Sequence, residues 1–96
     1  MLNLMILRKE LYINETNNFC KTTGSNLRYL RTARRLTQAE VGHLLNVRFQ
    51  QIQKYEAGTN CLSAWRLKQL AELFEVSPVD ILNHNYIATQ VNRSHV

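Results

Sequence analysis

The sequence has few of the residues that interrupt helices. Its 96 residues include one proline and three glycines, and these two residue types are the least tolerated in helix interiors. The longer apolar patterns have helical spacing, so the sequence favours an all-α fold. A chain of this length forms one small domain, and its 45% of hydrophobic residues suffices for a compact core.

Cysteine is also scarce, which argues against a metal site built on thiolates. Cys20 and Cys61 form no C-x-x-C pair, and neither has a histidine at metal-ligand spacing. We therefore expect no zinc and interpret the two cysteines as reduced thiols of a cytosolic protein.

Long apolar runs and catalytic arrangements are missing as well. The apolar stretch at residues 1–7 is short, precedes the first basic residues and leads to no small-residue cleavage site. It predicts neither a signal peptide nor a membrane span. His43, His84 and His95 are scattered, and no Gly-rich phosphate loop is present. The sequence predicts a cytoplasmic protein that is not an enzyme and carries no cofactor.

Basic charge is concentrated in the middle of the chain. The formal net charge is +5, and residues 24–58 carry six basic side chains against two acidic ones. Residues 59–82 are slightly acidic. A basic half of this kind suits a polyanionic partner. On charge alone, a basic face that is merely solvated is an equal alternative.

Residues 37–58, TQAEVGHLLNVRFQQIQKYEAG, predict two short helices joined by a tight turn. Thr37 and Glu40 have the spacing of a capping box, which begins the first helix. The turn falls at Asn46-Val47, because asparagine tolerates the left-handed conformation. Gly58 ends the second helix. Ile52 and Tyr55 are predicted to face inward, and the outward face is rich in amides, basic and nearly free of acids.

Two further helices follow the same reasoning. Ser63 caps a helix whose stripe of apolar residues at 67, 70, 71 and 74 belongs to the core. Trp65 is expected in the core, with a partly exposed interface position as the alternative. Ser77-Pro78 opens a fifth helix. The tail at residues 83–96 either folds back or meets a partner.

Residues 1–23 form an N-terminal extension. Leu4, Leu7 and Leu11 have helical spacing, so residues 2–13 predict a short amphipathic helix, although Tyr12 and Ile13 equally suit a strand. Residues 14–23 are polar and predict a linker. The extension is either weakly packed or a dimerisation arm, and its apolar side chains favour the arm.

Four segments occur in the order and spacing of one known family. They are Leu27-x-x-Leu30-Arg31, Leu36-Thr37-Gln38-Ala39-Glu40-Val41, Ile52-Gln53-Lys54-Tyr55-Glu56-x-Gly58 and Leu67-x-x-Leu70-Ala71-x-x-Phe74-x-Val76-Ser77. On these segments, residues 24–82 resemble the Cro/phage-repressor-type (XRE-like) helix-turn-helix DNA-binding domain, in particular its small bacterial regulators. The resemblance implies a five-helix lambda-repressor-like fold, with a first helix capped at Ser25 or Asn26. It also implies a homodimer that binds an inverted-repeat operator in double-stranded DNA and acts as a transcriptional repressor.

The resemblance also implies roles for individual residues. The base-reading positions are Phe49, Gln50, Gln53 and Lys54. Glutamine can pair with adenine, and Phe49 suits a thymine methyl group or a sugar. Lys54 could reach either guanine or a phosphate. Arg31 and Glu56 are expected to form a structural ion pair between the first and third helices. Backbone phosphate contacts are expected from Gln38, Arg48, Gln51, Thr59, Asn60 and Arg35.

An antitoxin or another partner-binding helix-turn-helix protein is the alternative. Antitoxins of this fold also bind operator DNA, so a toxin partner would change the biological role more than the chemistry. Arg35 stands where the family often has glycine, and Gly42 stands where it usually has alanine. Arg35 therefore predicts either a looser turn or a phosphate contact, and Gly42 predicts a close approach of the recognition helix.

Overall fold

Six helices make up residues 2–94, the part of the chain that this computed structural model describes; the side chains of residues 2–7, 12, 13, 93 and 94 lie outside the description. Within these residues there is no strand, and the all-α prediction is confirmed. The helices are α1 (Leu2–Ala33), α2 (Gln38–Leu45), α3 (Phe49–Ala57), α4 (Ala64–Phe74), α5 (Pro78–Leu82) and α6 (Tyr86–Ser94).

The first helix is much longer than predicted. α1 runs without interruption for 32 residues, so the linker expected at residues 14–23, the strand alternative at residues 12–13 and the cap at Ser25 or Asn26 are all wrong. Asn26 lies within α1 rather than at its start. Its buried side-chain amide donates to the main-chain carbonyls of Ile81 (2.8 Å) and Asn83 (2.9 Å). Tertiary contacts therefore replace the local capping role that the sequence suggested.

The core lies where α1 crosses the other helices. Buried side chains come from every helix, and the largest fully buried ones include Phe74, Leu30, Leu70 and Ile81. Burying apolar area of this kind is the main stabilising contribution in a small domain. The stripe predicted in α4 is buried at residues 70, 71 and 74 and half-buried at residue 67.

Local capping signals were predicted correctly. Thr37 and Glu40 form a complete capping box at α2, Ser63 caps α4, and Ser77 caps α5 with a box of its own. Asn46 ends α2 in the left-handed conformation, at φ 56°. Hydroxyl and carboxylate caps satisfy helix-end N–H groups that have no intrahelical partner.

Arg35 also adopts the left-handed conformation, at φ 56°. The turn there is hydrogen-bonded, because the N–H of Arg35 donates to Thr32 and that of Leu36 donates to Arg31. The looser turn that we considered for Arg35 is therefore wrong.

Trp65 lies outside the core, with 60% of its surface exposed, which contradicts its expected burial. It lies in the first turn of α4, one turn before the buried positions, and Lys68 stacks over its ring at 5.3 Å. The C-terminal tail folds back as α6, where buried Tyr86 meets Tyr29 of α1 edge to face at 6.2 Å.

Cys20 and Cys61 are joined in a disulfide, with Cα atoms 5.1 Å apart. This separation lies in the normal range for disulfides, and the interpretation of two reduced thiols is wrong for this structure. None of the helices within residues 2–94 has both the length and the apolar composition that crossing a membrane requires.

Candidate nucleic-acid interface

The turn between α2 and α3 is tight because of Gly42. A Cβ on Gly42 would lie 2.8 Å from the carbonyl oxygen of Val47 and 3.3 Å from the amide nitrogen of Phe49. The N–H of Val47 donates back to the Gly42 carbonyl at 2.8 Å. The absent side chain therefore lets the turn close against α2, and the close approach predicted for Gly42 is confirmed.

The inner face of α3 is held by α1 and α2. Ile52 and Tyr55 are buried, as their spacing predicted. Gly24 of α1 crosses the C-terminal turn of α3 so closely that a Cβ there would lie 2.6 Å from the carbonyl oxygen of Glu56. The crossing leaves no room for a side chain at residue 24 between α1 and α3.

An ion pair connects the two helices near this crossing. Arg31 donates to Glu56 through Nε (2.6 Å) and Nη2 (3.0 Å), and the two side chains are only 13% and 5% exposed. The hydrogen bond to Glu56 raises the pKa of Arg31 above its usual value. Gln38, at the start of α2, donates from Nε2 to the same carboxylate at 3.1 Å. The Glu56 carboxylate, near the end of α3, thus connects that helix with the end of α1 and the start of α2.

The outer face of α3 carries the four residues predicted to read bases. Phe49, Gln50, Gln53 and Lys54 are all exposed, and Lys54 lies in the last turn of the helix. No acidic side chain lies in the first turn of α3. Exposed amides present both donors and acceptors, so this face can match the edges of bases in a groove.

The residues predicted to contact phosphates lie at helix ends and in one loop. Arg48 is the exposed N-cap residue of α3, and its side chain makes no capping hydrogen bond. Thr59 and Asn60 are exposed after α3, with both N–H groups donating to Lys54. Gln51 and Gln38 are half-buried, and Arg35 is exposed.

Two arginines, Arg34 and Arg66, donate hydrogen bonds to main-chain carbonyls within the domain. Arg34 donates to the carbonyls of Leu30 and Phe74 and lies over the Phe74 ring at 5.3 Å. Arg66 donates to the carbonyl of Leu45 at 3.4 Å. Both arginines thus bind carbonyls at helix C-termini. The contacts of Arg34 with Phe74 and of Arg66 with Leu45 span 40 and 21 residues, so the sequence carried no signal for them.

The buried contacts of α3 hold its polar face at the surface of the domain. Among the described side chains, no group of three His, Cys, Asp or Glu residues is placed to hold a metal ion. The geometry presents neutral amides and cations side by side on one helix, with a loop of polar side chains beyond it. Such a surface can contact both bases and phosphates of a duplex.

Comparison with known proteins identifies the same region. A helix-turn-helix family model matches residues 27–81, which is more than half of the chain. An uncharacterized HTH-type transcriptional regulator, y4aM, of Sinorhizobium fredii is 42% identical over 55 residues, covering 57% of this chain and 38% of that relative. An uncharacterized transcriptional regulator in the ATPase CF(0) region of Rhodospirillum rubrum is 46% identical over 57 residues, covering 59% and 52%.

A solved structure has the same fold. The chain aligns with the S. venezulae BldD DNA-binding domain at a TM-score of 0.62 and 25% identity, covering 69% of this chain and 99% of that domain. This chain spans about two fifths of the length of the first curated relatives that it matches. The matched segment contains α2, α3 and α4 in full, together with the C-terminal end of α1 and most of α5. The chain therefore belongs to the helix-turn-helix family.

Proposed function

We propose that this protein is a transcriptional regulator that binds double-stranded DNA in a sequence-specific manner and acts as a repressor. The observation that carries the proposal is the orientation of α3. Its apolar face is buried by Ile52 and Tyr55, whereas its amide-rich face is exposed. In helix-turn-helix proteins the second helix of the motif enters the major groove. The relatives named as transcriptional regulators support the regulatory role.

The base-reading side chains are Phe49, Gln50, Gln53 and Lys54. Gln50 lies in the first turn of α3, where groove-reading helices meet base edges, and its amide can pair with adenine N6 and N7. Phe49 offers an apolar surface to a thymine methyl group. Lys54, one turn further on, donates to guanine or to a phosphate.

The phosphate-contacting residues surround this helix. Arg48 stands before α3 and supplies an exposed positive charge, and Thr59 and Asn60 lie exposed in the loop after it. Arg35 and Gln51 add to the same surface. Gln38 keeps a second amide hydrogen beyond the one donated to Glu56. These contacts orient the protein on the duplex without reading its sequence.

The protein acts as a homodimer on an inverted repeat. One domain reads only a few base pairs, and useful specificity requires two half-sites about one helical turn apart. The dimerisation arm is the extension at residues 1–23, where Leu11 is 61% exposed and Phe19 is 47% exposed. Val91 of α6 is exposed as well. Apolar side chains of this size are unfavourable in water and suit contact with a second copy. A sedimentation experiment in which the protein stays monomeric both free and on DNA would refute the dimer.

The reading helix is tested by selecting bound sites from random duplexes and titrating variants on the selected and scrambled sites. Gln50→Ala should weaken binding to the selected site by about 1–3 kcal/mol and leave scrambled DNA nearly unaffected. Arg48→Ala should weaken both alike and reduce the salt dependence by about one phosphate contact. Gln38→Ala should also act uniformly, with little change in salt dependence because glutamine is neutral.

Lys68→Ala is the matched control, because Lys68 is an exposed cation of α4 outside the proposed surface. It should leave DNA affinity unchanged. If Gln50→Ala lowered the affinity for both duplexes equally, α3 would not be the reading helix in the assigned orientation.

A further inference from the structure

The disulfide joins two parts of the protein that are distant in sequence. Cys20 lies in α1 and is only 5% exposed, whereas Cys61 is exposed in the loop after α3, 41 residues further along. The interactions of the helix-turn-helix core do not require this bond, because α3 is already held by Ile52, Tyr55 and the Arg31–Glu56 pair. The bond acts on a different segment, the loop between α3 and α4.

A second contact holds the same segment against α1. A Cβ on Gly58, which ends α3 at φ 75°, would lie 2.7 Å from the Cα of Lys21. Lys21 follows Cys20 directly in the sequence. α1 therefore contacts Gly58 through Lys21 and is bonded to Cys61 through Cys20. Thr59 and Asn60, the residues enclosed between these two contacts, are the loop's proposed phosphate contacts.

We propose that Cys20 and Cys61 form a reversible thiol–disulfide switch that sets the affinity for DNA through residues 58–61. The linked form binds DNA more tightly, and the reduced form binds more weakly. The proposal rests on the proposed function, because its consequence is measured as DNA binding. A regulator acting on DNA works in the cytoplasm, where disulfides are rare and those that form are usually transient or redox-sensing.

The reaction needs a two-electron oxidant, for which a hydroperoxide is the chemical class. The exposed Cys61 thiolate attacks the terminal peroxide oxygen, giving a sulfenic acid and releasing an alcohol, or water from hydrogen peroxide. The Cys20 thiolate then attacks the Cys61 sulfur, the S–S bond forms, and hydroxide leaves as water after taking up a proton. Overall, two thiols lose two electrons and two protons, and the peroxide is reduced. A thiol reductant reverses the change by thiol–disulfide exchange.

The link alters affinity by ordering the loop. Residues 59–63 lie outside the helices, and the Thr59 and Asn60 N–H groups both depend on one carbonyl, that of Lys54. Without the disulfide, DNA binding must order these residues itself. Ordering the backbone of one residue corresponds to about a five- to thirtyfold change in an equilibrium constant, so we expect reduction to raise the Kd by about that factor.

The test compares the wild-type protein with Cys61→Ser, after treatment with hydrogen peroxide and after treatment with dithiothreitol. Thiol labelling followed by mass measurement counts the free cysteines. Thermal melting in the absence of DNA measures how the disulfide changes the stability of the protein. DNA affinity is titrated on the duplex selected above. Cys61→Ser is the suitable variant, because residue 61 is exposed and serine there leaves no buried cavity.

In the wild type we expect no free thiol after peroxide and two after reduction. The oxidised form should melt at least about 10 °C higher than the reduced form, since closing a loop of this length restricts the unfolded chain. Its affinity should be about five- to thirtyfold higher. Cys61→Ser should bind like the reduced wild type under both conditions. Cys20→Ala should behave in the same way, which separates loss of the link from any effect of the Cys61 side chain.

Two free thiols after peroxide would overturn the proposal, and so would equal affinities of the oxidised and reduced wild type. Tighter DNA binding by the reduced form would overturn the proposed direction of the switch, and therefore the argument that the disulfide orders the loop. Absence of DNA binding in both redox states is a different result. It would overturn the proposed function, together with the control of DNA affinity that depends on it.

Discussion

Replacing Gly24 with alanine tests the crossing of α1 and α3. If the first helix of the domain began at Ser25 or Asn26, as the sequence suggested, residue 24 would precede it and Gly24→Ala would have little effect. If instead α1 continues through this position, alanine alone would favour the helix by about 1 kcal/mol. The tertiary structure predicts the opposite sign, because Gly24 is buried against the backbone of α3.

The size of the effect follows from the atoms around the new methyl group. Its Cβ would contact the carbonyl oxygen of Tyr55 and lie 2.6 Å from that of Glu56, whereas real Cβ atoms essentially never approach closer than 3.0 Å. Both neighbours are backbone atoms, so they cannot rotate aside and the two helices must separate. After the gain in helix propensity, we expect a net loss of about 1–2 kcal/mol in the free energy of unfolding, or about 5–15 °C in Tm.

The assay is urea unfolding at equilibrium, followed by thermal melting. Both are run with reductant, so that the Cys20–Cys61 bond does not contribute. Ser25→Ala is the matched control, because Ser25 is the exposed neighbour in the same helix. It should leave stability unchanged or raise it by about 0.5 kcal/mol.

A Gly24→Ala protein that is at least as stable as the wild type, with an unchanged slope in urea, would refute the reasoning. In that case α1 could not pass α3 at the described distance. The continuous helix through residues 20–33 would then be wrong, and with it the placement of Cys20 beside the loop.

Two further predictions concern charged side chains. Glu56→Ala should destabilise the protein by about 2–3 kcal/mol in urea unfolding, because it leaves the partly buried guanidinium of Arg31 without its carboxylate. Glu72→Ala, which breaks an exposed pair with Lys68, should change stability by less than about 0.5 kcal/mol; equal losses would contradict the burial of the Arg31–Glu56 pair. Hydrogen bonds from Thr37 lower the pKa of Glu40, so its contribution is present above the unfolded value of about 4.3 and is lost as pH falls through the folded pKa. The stability difference between wild type and Glu40→Ala should therefore shrink below about pH 4, and a difference independent of pH would show that the cap is not ionic.

The sequence alone was sufficient for the helices whose signals are local. The hydroxyl caps at Thr37, Ser63 and Ser77 and the left-handed turn at Asn46 were predicted correctly, because each depends on atoms within a few residues. The inward face of α3 also followed from spacing alone, since residues three apart lie on one side of a helix.

The length of α1 was decided by tertiary contacts. Its segment at residues 14–23 is polar and has no helical pattern, yet it is helical where it meets α3 and the following loop. Trp65 shows the opposite effect, since its apolar ring predicted burial but its position in the first turn of α4 turned it outward. In both cases the local sequence pattern predicted the structure less well than the tertiary contacts determined it.

Some features of the candidate DNA surface were likewise predictable from the sequence, and others were decided by the tertiary structure. Spacing and residue type determined which side chains of α3 stand outside, because helical geometry alone separates its two faces. Only the tertiary structure decided that Gln38 shares the carboxylate of Glu56, that Arg34 binds the end of α4 at Phe74, and that Cys61 lies beside Cys20. These contacts join residues 18 to 41 positions apart. Their existence depends on how the helices cross, which no periodicity within a single helix encodes.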